Sequence, residues 1–321
     1  MNINQIYNED CQEGIKRLPD ASIDCILTDP PYLYLKGQKL DRPFDEQSLF
    51  LEFARVLKPT GFIVLFGRGT SFYRWNTLLD KVRIYNGKYG YLYEFNGKRF
   101  FNDIEIGIEA LKNPLLQFKE EIVWHKGHFS SPVLPIGRIH ETISLHTING
   151  KINASKINYI EMKKYNIDEI VMSIKRLRNI LSNAKELEKV QSYLSGTYIY
   201  GTSKKNKMGT VMTSYKESCP AVNIIKGIEE GVKEQTVIRE KLNRTHMIHP
   251  TQKPVRLLER LLALTTHSGD VVLDPFAGSC STAIACVNTN RKFIGFEIDK
   301  EYYDAGVKRL NKALSEPKLV M

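Results

Sequence analysis

The 321-residue chain contains no apolar run approaching the roughly 18–20 residues needed to cross a bilayer. Its start, Met1-Asn2-Ile3-Asn4-Gln5, lacks the basic and apolar stretches of a secretory signal, so the expected location is the cytoplasm. Cysteine is scarce. The five cysteines are an odd number with no Cys-x-x-Cys spacing, which argues against a disulfide framework and a zinc site. His125/His128 and His246/His249 are spaced to share a helix face, but no Cys or acidic residue completes a metal spacing, so no metal is expected. Gly-x-Gly-x-x-Gly is also missing, which argues against a nicotinamide-dependent oxidoreductase.

Positive charge is plentiful, and it is concentrated. The formal charge is +10, and residues 150–245 hold 18 Lys and Arg against 10 Asp and Glu. A basic segment of this kind suits a polyanion, because each neutralised phosphate releases condensed counterions. A solvated lysine-rich surface is the alternative reading. Within the segment, Lys204, Lys205 and Lys207 are the candidate DNA-binding residues.

Outside that segment, strand and helix patterns alternate, which predicts an α/β fold with a largely parallel sheet. Strands are expected over Ser22–Leu27, Phe62–Phe66, Glu121–Trp124, Thr142–Leu145, Asp270–Leu273 and Phe293–Ile298. Helices are expected over Gln47–Leu57, Ile167–Leu194, Val255–Thr265 and Lys300–Leu314, and a loop followed by a helix over Pro275–Val287. Asn86-Gly87 and Asn96-Gly97 are hairpin turn signals on either side of the aromatic run Tyr89–Phe95. They predict a small β insertion at 82–117. Tyr198–Lys216, rich in Gly, Ser, Thr and Lys, reads as loop. The expected organisation is a catalytic half at 1–149, a basic target-recognition segment at 150–245 and a cofactor-binding half at 246–321.

Two constellations follow predicted strands, where an open α/β sheet binds its ligands. In Asp29-Pro30-Pro31-Tyr32 the prolines fix φ and lack N–H groups, so their carbonyls serve as rigid acceptors. A carboxylate beside such a carbonyl accepts both hydrogens of an amino group, and Tyr32 offers a ring for a planar base. In Asp274-Pro275-Phe276-Ala277-Gly278-Ser279, small residues let a ligand approach the backbone ahead of a helix N-terminus. Glu297 ends the next strand, where an acid accepts ribose hydroxyls. A third stretch, His249-Pro250-Thr251-Gln252-Lys253-Pro254, is by itself a helix-start signal.

In this order, the tetrapeptide, Thr251-Gln252-Lys253-Pro254 and the loop 274–279 resemble the amino-DNA methyltransferase family, in its permuted β group. Asp10-Cys11, Leu18-Pro19-Asp20, Ser22-Ile23-Asp24 and Gly295-Phe296-Glu297-Ile298-Asp299 agree with it. The likeness covers about 3–80, 118–148 and 246–314. It implies a seven-stranded, circularly permuted, Rossmann-like sheet that binds S-adenosylmethionine, with the target-recognition segment inserted between its halves. It further implies Asp29, Pro30, Pro31 and Tyr32 as the catalytic set. Asp274, Phe276, Ala277, Gly278 and Ser279 would form the cofactor loop, with Glu297 on the ribose. Asp10 and Cys11 would lie near the adenine, and Thr251 and Lys253 near the methionine end.

The implied reaction is methyl transfer to N6 of an adenine flipped from double-stranded DNA, with cytosine N4 as the alternative target. A homodimer and a cognate restriction endonuclease are further candidate partners. One departure stands out. The family usually has a second glycine where this chain has Cys280, and a Cβ there would crowd the cofactor if the position needs positive φ or close approach. A DNA-binding protein that has lost turnover through Cys280 is the expectation from a different class.

Overall fold

The computed structural model describes residues 1–32, 41–107, 111, 113–127, 137, 139–157, 230–242 and 247–315. The chain divides into two compact units, one of residues 1–153 with 235–321 and one of 154–234. The second unit therefore starts later and ends earlier than the basic segment 150–245. Its described part is a short antiparallel pair, β10 (Lys156–Ile157) and β11 (Val232–Lys233). The helix expected at 167–194, the loop at 198–216 and Lys204, Lys205 and Lys207 lie outside the described residues.

The first unit is built on β1 (Gln5–Tyr7), β2 (Ile23–Thr28), β3 (Leu57–Gly67), β8 (Gln117–His125), β9 (His140–Thr147), β12 (Val237–Arg239), β13 (Val271–Asp274) and β14 (Lys292–Phe296). They form one sheet in the order β1-β14-β13-β2-β3-β9-β8-β12. Every neighbouring pair is parallel except β3 with β9 and β9 with β8. Seven strands are expected and eight are found. The extra one is β12, three residues that pair with Val123–His125 of β8, too short to leave a hydrophobic period in the sequence.

Successive strand residues serve opposite faces. Cys25, Leu27, Val64 and Phe66 pack in one core with α4 (Val255–Thr265) and α5 (Ser281–Asn288). Ile26, Ile63 and Leu65 pack in a second core with α2 (Glu46–Val56) and α3 (Gly69–Lys81). Helix α2 starts where Asp45 accepts from the Ser48 N–H at 3.0 Å, and buries Leu49, Phe50 and Phe53. Helix α4 spans the residues its periodicity predicts and follows directly on Pro254. A short helix α1 (Cys11–Gly14) follows β1, and α6 (Lys300–Ser315) closes the chain's described part. No helix among the described residues is long and apolar enough to cross a membrane.

The β insertion is present as an antiparallel meander of β4 (Val82–Tyr85), β5 (Lys88–Phe95), β6 (Lys98–Phe101) and β7 (Ile104–Ile106). Both Asn-Gly pairs turn with φ positive at each residue, 49° and 74° for Asn86-Gly87 and 50° and 73° for Asn96-Gly97. That is the two-residue hairpin geometry whose twist matches the flanking strands.

Candidate active site

The parallel strands all present their carboxyl ends to one edge of the sheet, and charged residues line that edge in strand order. Asp10 follows β1, Glu297 follows β14, Asp274 ends β13, Asp29 follows β2, Arg68 follows β3, and Glu141 and Lys126 come from β9 and β8. All seven line one cleft of about 910 Å³. Pro30, Pro31, Tyr32, Cys11, Thr251, Lys253, Phe276, Ala277, Gly278 and Ser279 line it too. The cleft thus brings together every catalytic and cofactor-binding residue expected from the sequence. Among the described residues, no group of three or more His, Cys, Asp or Glu side chains is arranged to hold a metal ion.

One half of the cleft surrounds the loop after β13. Ala277 N–H donates to the Phe296 carbonyl at 2.8 Å, and Gly278 N–H to Glu297 Oε2 at 2.8 Å. Glu297 Oε1 accepts from the Asp299 N–H at 2.8 Å. Each Glu297 oxygen holds one backbone hydrogen bond and has further acceptor capacity for a hydroxyl. Burial raises the Glu297 carboxyl above the usual range, against the pull of those backbone bonds. Asp10 caps α1 by accepting from the Gln12 N–H at 2.9 Å. Burial, with Asp10 adding to it, pushes the Cys11 thiol far up, so Cys11 serves as a small apolar wall. Phe276 packs on Phe44 with ring centroids 5.2 Å apart.

Cys280 adopts the left-handed conformation, with φ 56° and ψ 26°, so the position does require positive φ. Its side chain does not line the cleft. It is buried toward α6, where Gly306 makes room for it: a Cβ on Gly306 would stand 2.7 Å from Cys280 Sγ and 2.6 Å from the Gly278 carbonyl oxygen. The thiol points behind the loop, away from the space where the sequence anticipated crowding of a cofactor. Arg309 secures the same turn, donating to the Ser279 carbonyl at 2.8 Å and to Ser281 Oγ at 2.9 Å.

The other half centres on Asp29. Tyr32 donates its hydroxyl to Asp29 Oδ1, and Lys253 donates to Asp29 Oδ2. The Tyr32 ring rests on Trp75, centroids 5.8 Å apart. Lys253 Nζ also lies 3.5 Å from Glu141 Oε2 and 5.1 Å above the Phe66 ring. Burial raises the Asp29 carboxyl above its ordinary value; Lys253 pulls it back and Glu141 adds to the rise. Burial works against the Lys253 ammonium, yet Asp29 and Glu141 together outweigh it and hold the amine charged. Lys253, which the resemblance puts at the methionine end of the cofactor, is here bonded to the expected catalytic carboxylate.

Several cleft residues escaped the sequence reading. His249 sits in the recognised stretch, so a signal was available. Its Nδ1 receives the Thr251 N–H at 3.3 Å, its ring meets Tyr302 edge-on at 4.3 Å, and burial depresses its pKa to about 4. Asp299 was likewise in a matched stretch, and caps α6 by accepting from the Glu301 N–H at 3.0 Å. Lys126 and Glu141 carry no motif; only the pairing of β8 with β9 brings them to the cleft.

One cleft with the loop 274–279 and Glu297 on one side and a carboxylate-proline-aromatic turn on the other fits an α/β enzyme of the methyltransferase type. A family model described as a DNA methylase matches residues 23–308, and the chain belongs to this N6/N4 family. Type II methyltransferase M.BglII of Bacillus subtilis is 26% identical over 315 residues, covering 96% of this chain and 69% of that protein. DNA adenine methyltransferase YhdJ of Escherichia coli (strain K12) is 51% identical over 65 residues, only 20% of this chain and 22% of that protein. Among solved structures, the M1.HpyAVI–SAM complex has a TM-score of 0.50 at 20% identity, over 96% of this chain and 98% of that one, a likeness of fold.

Two predictions follow from this geometry. Cys280→Ala should bind S-adenosylmethionine within about twofold of the parent, whereas Gly306→Ala should bind about tenfold more weakly, as read by calorimetric titration. Unchanged binding by Gly306→Ala would mean that the loop shifts without consequence. The second concerns Asp274, whose carboxyl burial lifts from 3.8 to about 7. A carboxyl raised on folding stabilises most below its unfolded pKa, and that contribution is lost as pH rises through the folded value. Urea unfolding should therefore show stability falling between about pH 4 and pH 7, and a flatter profile in Asp274→Asn.

Proposed function

We propose that this protein is a site-specific DNA methyltransferase that moves a methyl group from S-adenosylmethionine to N6 of an adenine flipped from duplex DNA. The observation that carries the reading is the cleft itself, where Asp29 and Tyr32 face the same space as the loop 274–279 and Glu297. Among the described residues that line the cleft, carboxylates outnumber lysines and arginines eight to four. Such a lining suits a ligand with net positive charge, which S-adenosylmethionine carries and its demethylated product does not. The acceptor capacity of Glu297 suits a ribose diol, and Phe276 and Ile298 offer apolar faces to an adenine ring.

Bound S-adenosylmethionine supplies an electrophilic methyl group. Everything else falls to the chain. An exocyclic amine is a weak nucleophile because its lone pair is delocalised into the ring. Asp29 accepts one amino hydrogen and the Pro30 carbonyl the other, which favours the pyramidal nitrogen that attacks. Lys253 and the Tyr32 hydroxyl hold the two Asp29 oxygens in place. Tyr32, backed by Trp75, replaces the stacking a flipped base loses. No covalent intermediate on the enzyme is needed, and burial keeps the Cys25 thiol at a pKa of about 12, a core residue.

The name of the Escherichia coli relative supports adenine as the target. The basic segment 150–245, with Lys204, Lys205 and Lys207, supplies phosphate contacts in this reading, and the cytoplasm is the location that goes with it. The test is transfer of labelled methyl to unmethylated DNA of mixed sequence, followed by nucleoside analysis. N6-methyl-2′-deoxyadenosine is expected, and no labelled nucleoside would overturn the reading. Asp29→Ala should lose methyl transfer by about a thousandfold or more while binding the cofactor within about threefold; retained turnover would remove Asp29 from the mechanism.

A further inference from the structure

Four buried or nearly buried charges run along the wall of the cleft with alternating sign. Lys126, 5% exposed, donates to Glu141 Oε1 at 2.6 Å. Glu141 Oε2 is buried, 3.5 Å from Lys253 Nζ, and makes no hydrogen bond among the described residues. Lys253, 8% exposed, reaches Asp29 Oδ2. These groups come from four separate stretches of chain: the end of β8, the start of β9, the turn before α4 and the turn after β2.

Stability does not explain such a row. Removing charges from water can cost more than their pairing returns, and apolar side chains of similar size often serve a fold equally well. Their place at the reacting edge does explain them. A carboxylate that accepts amino hydrogens has to be ionised, since a protonated carboxyl donates with one of its oxygens. Asp29 stands among other acids, Asp274 and Glu141, which disfavour its charge. Lys253 counters them, but a buried ammonium with one anionic partner readily passes its proton to it. The second anion, Glu141, prevents that, and Lys126 balances the repulsion Glu141 would exert on Asp29.

We propose that Lys126 and Glu141 are positioning residues for methyl transfer: Glu141 keeps Lys253 an ammonium on Asp29, and Lys126 offsets the repulsion Glu141 exerts on Asp29, so that Asp29 stays in its acceptor-only form. This rests on the reading of Asp29 as the acceptor for the target amine. The contacts along the row include the following. Asp29 meets Lys253, the Tyr32 hydroxyl, Asp274 and Glu141; Lys253 meets Asp29, Glu141 and His249. Glu141 meets Lys126 and Lys253, and Lys126 meets Glu141 and the Trp124 ring at 5.4 Å. His249, depressed to about 4, stays neutral in the working range. Asp274 titrates near 7 but is common to every variant compared.

The sign of each change follows. Glu141→Gln removes a negative charge near both Asp29 and Lys253, so both should lose their protons at lower pH. The acid and alkaline limbs of the rate profile then move down together, by about one pH unit. Lys126→Gln removes a positive charge, and both limbs should move up by about the same amount. The double variant should return near the parent profile.

The experiment is the single-turnover rate of labelled methyl transfer against pH, with saturating S-adenosylmethionine and unmethylated DNA of mixed sequence. Cofactor affinity and thermal midpoint are measured on each variant. Opposite shifts, cancelling in the double variant, are expected. Limbs that stay in place, or move the same way in both single variants, would overturn the proposal, because a purely structural role lowers the rate without moving the profile. If a single variant does not fold, the double variant decides: a profile away from the parent's overturns the proposal. An unmodified protein without methyl transfer would instead remove the underlying reading of the site, and this proposal with it.

Discussion

Asp29 and Lys253 are 224 residues apart in sequence and share a hydrogen bond at the centre of the cleft. That contact depends on β2 and β13 lying side by side, with Cys25 opposite Val272 and Ile26 opposite Leu273. Once these strands pair in parallel, Asp29 and Asp274 emerge at the same edge. The stretch leading into α4 is then carried across the end of β2, where Lys253 meets the carboxylate. A buried acid among acids is kept ionised by a cation, and a buried cation keeps its charge better beside two anions than beside one. The pairing of the two halves of the chain and the electrostatics of the site are therefore one constraint.

The distribution of charge follows the same logic on a larger scale. Residues 150–245 carry most of the net positive charge, whereas among the described residues the charged ones lining the cleft come from outside that stretch and are mainly acidic. The two ligands of the proposed reaction have opposite needs. DNA is gathered by lysines and arginines through its phosphates. A sulfonium cofactor is favoured by carboxylates. Keeping the two in different stretches of sequence lets each be strong without neutralising the other.

Much of this was legible in the residues, and the exceptions have physical causes. Helix α4 announces itself through Pro254 and a leucine-rich face, and the meander through two Asn-Gly turns whose φ angles only such residues adopt readily. Asp29, Asp274 and Glu297 were readable because each follows a buried strand. Strands β1 and β12 were not, because three residues give no period to count. Cys280 shows a different limit. A motif position breaks its pattern, and whether that matters depends on Gly306 in α6, which receives the thiol and lets it face away from the cleft. Local sequence poses that question, and only packing answers it.

Lys126 and Glu141 were invisible for a reason that also explains their use. Parallel strands reach the functional edge only at their carboxyl ends, so most of what they offer there, Asp274 apart, hangs from the loops that follow. Strand β9 runs the other way, antiparallel to both β3 and β8. Its first residues, not its last, lie at the cleft, and Glu141 is held within the strand ladder opposite Trp124. Trp124 is in turn anchored by its indole N–H to the Glu240 carbonyl at 2.7 Å. A charge that must stand between two ammonium groups is better placed on such a ladder than on a loop, because a displacement of about 1 Å there would undo the balance. The single reversed strand of the sheet supplies a rigid position at the cleft from its first residues, as β13 does from its last, Asp274.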